Sequence, residues 1–259
     1  MLSTEYATGS PCWLDLASPD PAGAAAFYGA VLGWSLAPAP QGDHGLLQHQ
    51  GRTAAALGPL AEPGARSAWT LAFKTPDADA TAQAAEELGA TVRIEAYDVP
   101  GAGRTARLAD PGGAQFALWQ PAAVEGLEAV GEEGALCWTE LFSPDPAAAA
   151  AFYRRLFGWH TEEVTMLDIP YTLLATAGGD RSEAAFGGIA PLQDSAHTPR
   201  WLPYFEAADV DAAVGAARAG GGSVLTPAFD APGVGRMAAL ADPYGAPFAV
   251  TASAAAAAG

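Results

Sequence analysis

The feature that most constrains this chain is that it repeats itself. The segment CWLDLASPDPAGAAAFYGAVLGW at 12–34 returns as CWTELFSPDPAAAAAFYRRLFGW at 137–159, each residue 125 positions on and without a gap. The back of each copy recurs as well. WTLAFKTPDADATAQAAEELGATV at 69–92 matches WLPYFEAADVDAAVGAARAGGGSV at 201–224, and VPGAGRTARLADPGGAQFAL at 99–118 matches APGVGRMAALADPYGAPFAV at 231–250. The offset there is 132, so the second copy carries about seven extra residues in its middle loop, around Gly178 to Ala184. Two homologous halves follow, residues 1–122 and 133–259, joined by a linker at 123–132 that has Gly and acidic residues but no strand periodicity.

Within one half the local signals repeat again. Cys12 to Ala17 reads as a strand that SPDP stops. Ser18 or Asp20 can cap a helix that Pro21 opens, with Ala24, Phe27, Tyr28 and Val31 on one stripe and Gly33 ending it. Short strands at Leu46–His49 and Thr53–Leu57 follow. A second strand–helix unit then begins, with strand 68–74, helix 77–88, and strands near 91–95, 104–109 and 114–119. Asp110–Pro111–Gly112–Gly113 is a tight turn joining the last two. The expected class is α+β: four tandem βαβββ modules, two per half, with curved mixed sheets forming cups.

Bulk chemistry removes several functions. The net charge is −17 with twelve basic residues, so a nucleic acid or an anionic membrane would repel the chain. No apolar run reaches the roughly 20 residues of a membrane helix, and the N-terminus has no basic region leading into an apolar stretch, so a cytoplasmic protein is expected. Cys12 and Cys137 occupy equivalent places in the two halves and read as reduced thiols that face the helices. A monomer and a homodimer are both compatible with fused halves.

The strand–SPDP–helix–FY–x3–(L/F)GW opening, the W-x7-D-x-D-A middle of the second module and the GR…DPxGAxF ending resemble the vicinal oxygen chelate superfamily, which includes glyoxalase I, extradiol dioxygenases and bleomycin-resistance proteins. The resemblance covers nearly the whole chain and is nearest to two-domain glyoxalase-like proteins of actinobacterial type. It implies the fold strongly and the chemistry weakly, because one scaffold hosts many reactions. Metal-dependent members place His, Gln or Glu ligands on the first strand of a module and on the strand after DPxG. The resemblance puts those positions here on Trp13, Trp138, Ala117, Ala249, Leu71 and Pro203, none of which can hold a divalent cation. A register slip of two would bring in only Asp15 and Glu140, and the histidines (His44, His49, His160, His197) lie outside the motif strands. No metal and no other cofactor is expected.

Strand alternation then gives the contents of each cup. Trp13 and Asp15 share a face in the first half, and Trp138, Glu140 and Phe142 share it in the second. Trp119 should join from the closing strand, with Phe116 and Leu118 in the core. Trp69 and Phe73, and likewise Trp201 and Phe205, are expected to complete the lining. The tryptophans are either core or a wall for a flat, partly apolar ligand. Asp15 and Glu140 are either solvated or act as general acid or base behind that wall. Arg104 and Arg236 are either structural partners of Asp110, Asp242 or turn carbonyls, or anchors for an anionic ligand group. The leading expectation is a metal-independent protein that holds an aromatic or polycyclic small molecule, by sequestration or with acid–base lyase, isomerase or cyclase chemistry in secondary metabolism. The alternatives are a metal-dependent lyase or dioxygenase with a non-standard ligand set, or a structural module whose cups are filled by its own side chains.

Overall fold

The structure is a computed structural model, and it describes residues 2–38, 44–60, 66–178, 184–192 and 198–254. His197 and most of the expected insertion lie outside the described residues. The first half runs β1 (Pro11–Ser18), α1 (Pro21–Leu32), β2 (Ser35–Pro38), β3 (Gly45–His49), β4 (Arg52–Pro59), β5 (Ala68–Lys74), α2 (Ala78–Glu87), β6 (Thr91–Val99), β7 (Gly103–Ala109) and β8 (Gln115–Pro121). The second half repeats it: β9 (Leu136–Ser143), α3 (Pro146–Phe157), β10 (His160–Met166), β11 (Ile169–Ala175), β12 (Ala185–Pro191), β13 (Arg200–Glu206), α4 (Val210–Ala219), β14 (Ser223–Ala231), β15 (Gly235–Ala241) and β16 (Pro247–Ser253). Each βαβββ module is therefore present four times. Each half forms one eight-stranded mixed sheet, in the order β2-β3-β4-β1-β5-β8-β7-β6 and β10-β11-β12-β9-β13-β16-β15-β14.

The motifs explain the element ends. Asp20 and Asp145 accept the amides of Gly23 and Ala148 at 3.0 and 2.9 Å, and a proline opens each helix where its missing N–H costs nothing. Asp20, not Ser18, is thus the cap. Gly33 and Gly158 close the helices at φ 72°, in the left-handed region that a side chain disfavours. The buried stripe of α1 is Ala24, Phe27, Tyr28 and Leu32; Leu32 takes the place expected of Val31. At the DPGG turn the Asp110 amide reaches the carbonyl of Ala114 at 2.9 Å, and β7 and β8 pair antiparallel as expected.

The chain divides into two compact units that do not follow the sequence halves. One comprises residues 1–14, 70–127 and 138–202; the other comprises 15–69, 128–137 and 203–259. Each unit takes one module from each half. In the first α2 packs with α3, and in the second α1 packs with α4.

Candidate functional site

The most repeated motif residues build the interior of each unit. In the first unit Trp201 Nε1 donates to the Tyr153 hydroxyl at 3.0 Å, and that hydroxyl donates to Asp110 Oδ2 at 3.1 Å. The second unit repeats the relay with Trp69, Tyr28 and Asp242, at 3.0 and 3.4 Å. Both tyrosines are fully buried, and an indole N–H or phenol in such a place needs a partner. Burial and the adjacent carboxylate push both phenols well above their ordinary range, and burial raises Asp110 and Asp242 as well. The FY pair and the DPxG turn therefore meet across the two sequence halves inside one unit.

This placement corrects four of the expected ligand-wall residues. Phe73 packs on Phe116, Tyr153, Phe157, Trp159 and Trp201, and Phe205 packs on Trp34, Trp69 and Phe248. Trp69, Phe73, Trp201 and Phe205 are all buried on the helix side of their sheets. Alternation supplies the period of a strand but not its phase, and here helix packing sets the phase.

Arg104 and Arg236 are also structural, with partners other than Asp110 and Asp242. Arg104 forks onto Asp79 at 2.7 and 2.9 Å and reaches Asp98 at 2.8 Å. Arg236 forks onto Asp211 and reaches Asp230 in the same way. Each guanidinium ties a helix start to a hairpin. The two thiols are inert: burial pushes both well above an ordinary cysteine, and each Sγ points at a backbone carbonyl, of Ala72 for Cys12 and of Tyr204 for Cys137.

The other faces of the strands hold what remains. In β1, Trp13, Asp15 and Ala17 are half-buried while Leu14 and Leu16 are buried, as the alternation requires. Trp13 stacks on Trp119 with ring centres 5.7 Å apart and planes 13° apart. Asp15 pairs in register with Ala56 of parallel β4.

In the second half the equivalent strand carries a polar cluster, all within one unit. Glu140 is 9% exposed. Its register partner on β12 is Gly188. The space that a side chain at Gly188 would take is filled by the Tyr171 ring from β11, whose atoms lie 2.2 Å from an ideal Cβ there. Tyr171 thereby reaches Glu140, to which its hydroxyl donates, while Trp138 Nε1 donates to the same hydroxyl at 3.1 Å. Burial first and Glu140 second push the phenol well above its ordinary range. Two residues along, Phe142 lies under the Arg200 guanidinium, 5.2 Å from ring centre to carbon. Tyr171 and Arg200 were not among the sequence candidates. Tyr171 falls in the middle segment where the repeat loses register, and its one sequence signal is the Gly187–Gly188 pair on the strand beside it.

The donor set does not fit a divalent metal. The six positions implied by the family resemblance hold indole, methyl, isobutyl and pyrrolidine groups. Among the described residues no group of three or more His, Cys, Asp or Glu side chains comes together.

Two mixed sheets built of βαβββ modules define a protein of the vicinal oxygen chelate class. The chain belongs to the glyoxalase/bleomycin resistance protein/dioxygenase superfamily: residues 135–250 match that family, and residues 13–119 match the glyoxalase-like domain. It is 34% identical over 95% of its length to the anthracycline biosynthesis protein DauV of Streptomyces sp. (strain C5), covering 94% of that protein. It is 32% identical to the glyoxylase-named protein CFP32 of Mycobacterium tuberculosis, covering 95% of this chain and 96% of that one. Among solved structures it resembles the Mn(II)-bound glyoxalase of Novosphingobium aromaticivorans, with TM-score 0.64, 18% identity and coverage of 95% and 83%. That last likeness is one of fold. Among the described residues no helix is long and apolar enough to cross a membrane.

Proposed function

We propose that the protein binds a flat, partly apolar aromatic polycycle on the helix-free face of its second half, without a metal, and that Glu140 is the acid–base group of the site. The observation that carries this reading is the Trp138–Tyr171–Glu140 cluster: an indole, a phenol and a carboxylate held together where a metal-dependent relative would place a ligand. The relatedness to anthracycline biosynthesis proteins over almost the full chain supports a polycyclic ligand. Tyr171 holds the Glu140 carboxylate in place, and that carboxylate is the group of the cluster able to take up and give back a proton. Glu140 can then take a proton from an acidic ligand carbon and return it elsewhere on the same molecule, a redox-neutral lyase, isomerase or cyclase step.

Glu140→Gln separates binding from chemistry. In D2O the protein should speed deuterium uptake at an acidic C–H of a bound anthracycline, and the variant should lose that while retaining affinity within a few fold. Unchanged exchange in the variant removes the catalytic role and leaves sequestration.

A further inference from the structure

The β10–β11 hairpin that supplies Tyr171 separates its side chains by chemistry. Cross-strand register pairs Met166 with Ile169, Val164 with Tyr171 and Glu162 with Leu173, so these side chains share one face. Leu173 pairs in turn with Gly188 of β12, and Gly188 with Glu140 of β9, so that face is the one holding the Trp138–Tyr171–Glu140 cluster. Val164, Met166, Ile169 and Leu173 are each half-buried on it. On the opposite face of the outer hairpin Glu163, Thr165 and Pro170 are exposed. An alternation of this kind turns the apolar side toward an apolar neighbour. All of these residues lie in one compact unit with the cluster, and their apolar face runs into it without a break.

The turn at the hairpin tip carries a second signal. Met166 and Ile169 flank a two-residue turn in which Leu167 has φ 51° and Asp168 φ 60°. Left-handed backbone at both central positions suits Asn or Asp followed by Gly, because a bulky side chain is crowded there. The β3–β4 turn meets that demand in part, with Gly51 at its second position at φ 80°. Here a leucine takes the first position and is 47% exposed, so burial within the chain offsets little of the strain.

We infer that the β10–β11 hairpin is a ledge along which a fused-ring ligand lies, its inner end at the Tyr171–Glu140 cluster and its outer end at Met166 and Leu167, and that this ledge selects fused rings over a single ring. Ile169 to Leu173 spans about 13 Å of strand, longer than one aromatic ring. The aliphatic side chains offer apolar area to a flat ring system, and the Met166 thioether suits the edge of an aromatic ring. The ledge rests on the binding reading above and adds to it the shape of the ligand and the residues that choose it.

Oxidation of Met166 by hydrogen peroxide, followed by mass spectrometry of its peptide, tests the ledge on the parent chain. An uncharged anthracycline aglycone, which the net charge of −17 does not attract, should slow that oxidation at least fivefold. The single-ring phenol p-cresol should not. Ile169→Thr keeps a β-branched side chain but removes apolar area, and should weaken aglycone binding several fold by fluorescence titration. Leu167→Asn should have two effects of opposite sign: a higher urea midpoint, because the turn relaxes, and aglycone binding weakened several fold. It lies on an exposed turn and reads the ledge even where Ile169→Thr does not fold. Aglycone binding that leaves Met166 oxidation unchanged and both variants unaffected, while Tyr171→Phe weakens it, overturns the ledge and leaves the binding reading standing. Equal protection by p-cresol overturns the selection of fused rings. Slow oxidation of Met166 without ligand, together with a two-chain mass by light scattering, gives the ledge to a second copy of the chain and overturns it as a ligand surface. An aglycone that does not bind the parent overturns the binding reading and the ledge with it.

Discussion

Tyr171 depends on what its neighbour lacks. Gly188 supplies the empty space that lets the ring lie across β12 and reach Glu140, so the glycine specifies the site as much as the tyrosine does. Asp110 makes a different use of a carboxylate. Burial holds it above the ordinary aspartate range while it accepts the Tyr153 hydroxyl and the Ala114 amide. Because its folded value is raised, the folded chain binds this proton more tightly than the unfolded chain does. Its contribution to stability is complete below the ordinary aspartate range and is lost as pH rises through the raised value. Urea midpoints measured from pH 4 to 8 should therefore fall with rising pH by more in the parent than in Asp110→Asn. Equal slopes would show that this carboxyl is not linked to folding. Tyr153→Phe deprives both Asp110 and the Trp201 indole of their buried partner and should cost about 1–3 kcal/mol by chemical denaturation.

At the scale of elements, some of the fold was legible in the sequence for a physical reason. Pro after an aspartate, and Gly after a Leu or Phe, mark helix ends by backbone chemistry alone, and α1 and α3 begin and end where those residues put them. Asp145→Ala removes the acceptor of the Ala148 amide and should cost about 1 kcal/mol, read as a shift in the denaturation midpoint. What was not legible was which way β5 and β13 face. Trp69 and Trp13 read alike in the sequence, yet one indole is drawn under α1 by the Tyr28 hydroxyl and the other stacks on Trp119. The Arg104 and Arg236 ion pairs were half legible: their repetition marked a structural role, but Asp79 and Asp211, at the starts of α2 and α4, are the partners that only folding reveals. These pairs are exposed, and each adds little to stability.

At the scale of the whole chain, repetition sets the scaffold, and the two copies differ at particular positions on it. The Trp–Tyr–Asp relay is conserved between the copies because it builds the two units, and it could be read as motif long before its purpose was visible. Tyr6 to Gly131 and Trp119 to Thr251 replace large residues by small ones, while Ala72 to Tyr204 does the reverse, so the copies fill the same frame with different side chains. The most direct test of the account is native mass spectrometry of the chain incubated with an anthracycline and, separately, with divalent metals. The account predicts an organic adduct, weakened in Gly188→Ala, and no metal held at stoichiometry. A metal retained at one or two per chain, with no organic adduct, would contradict it.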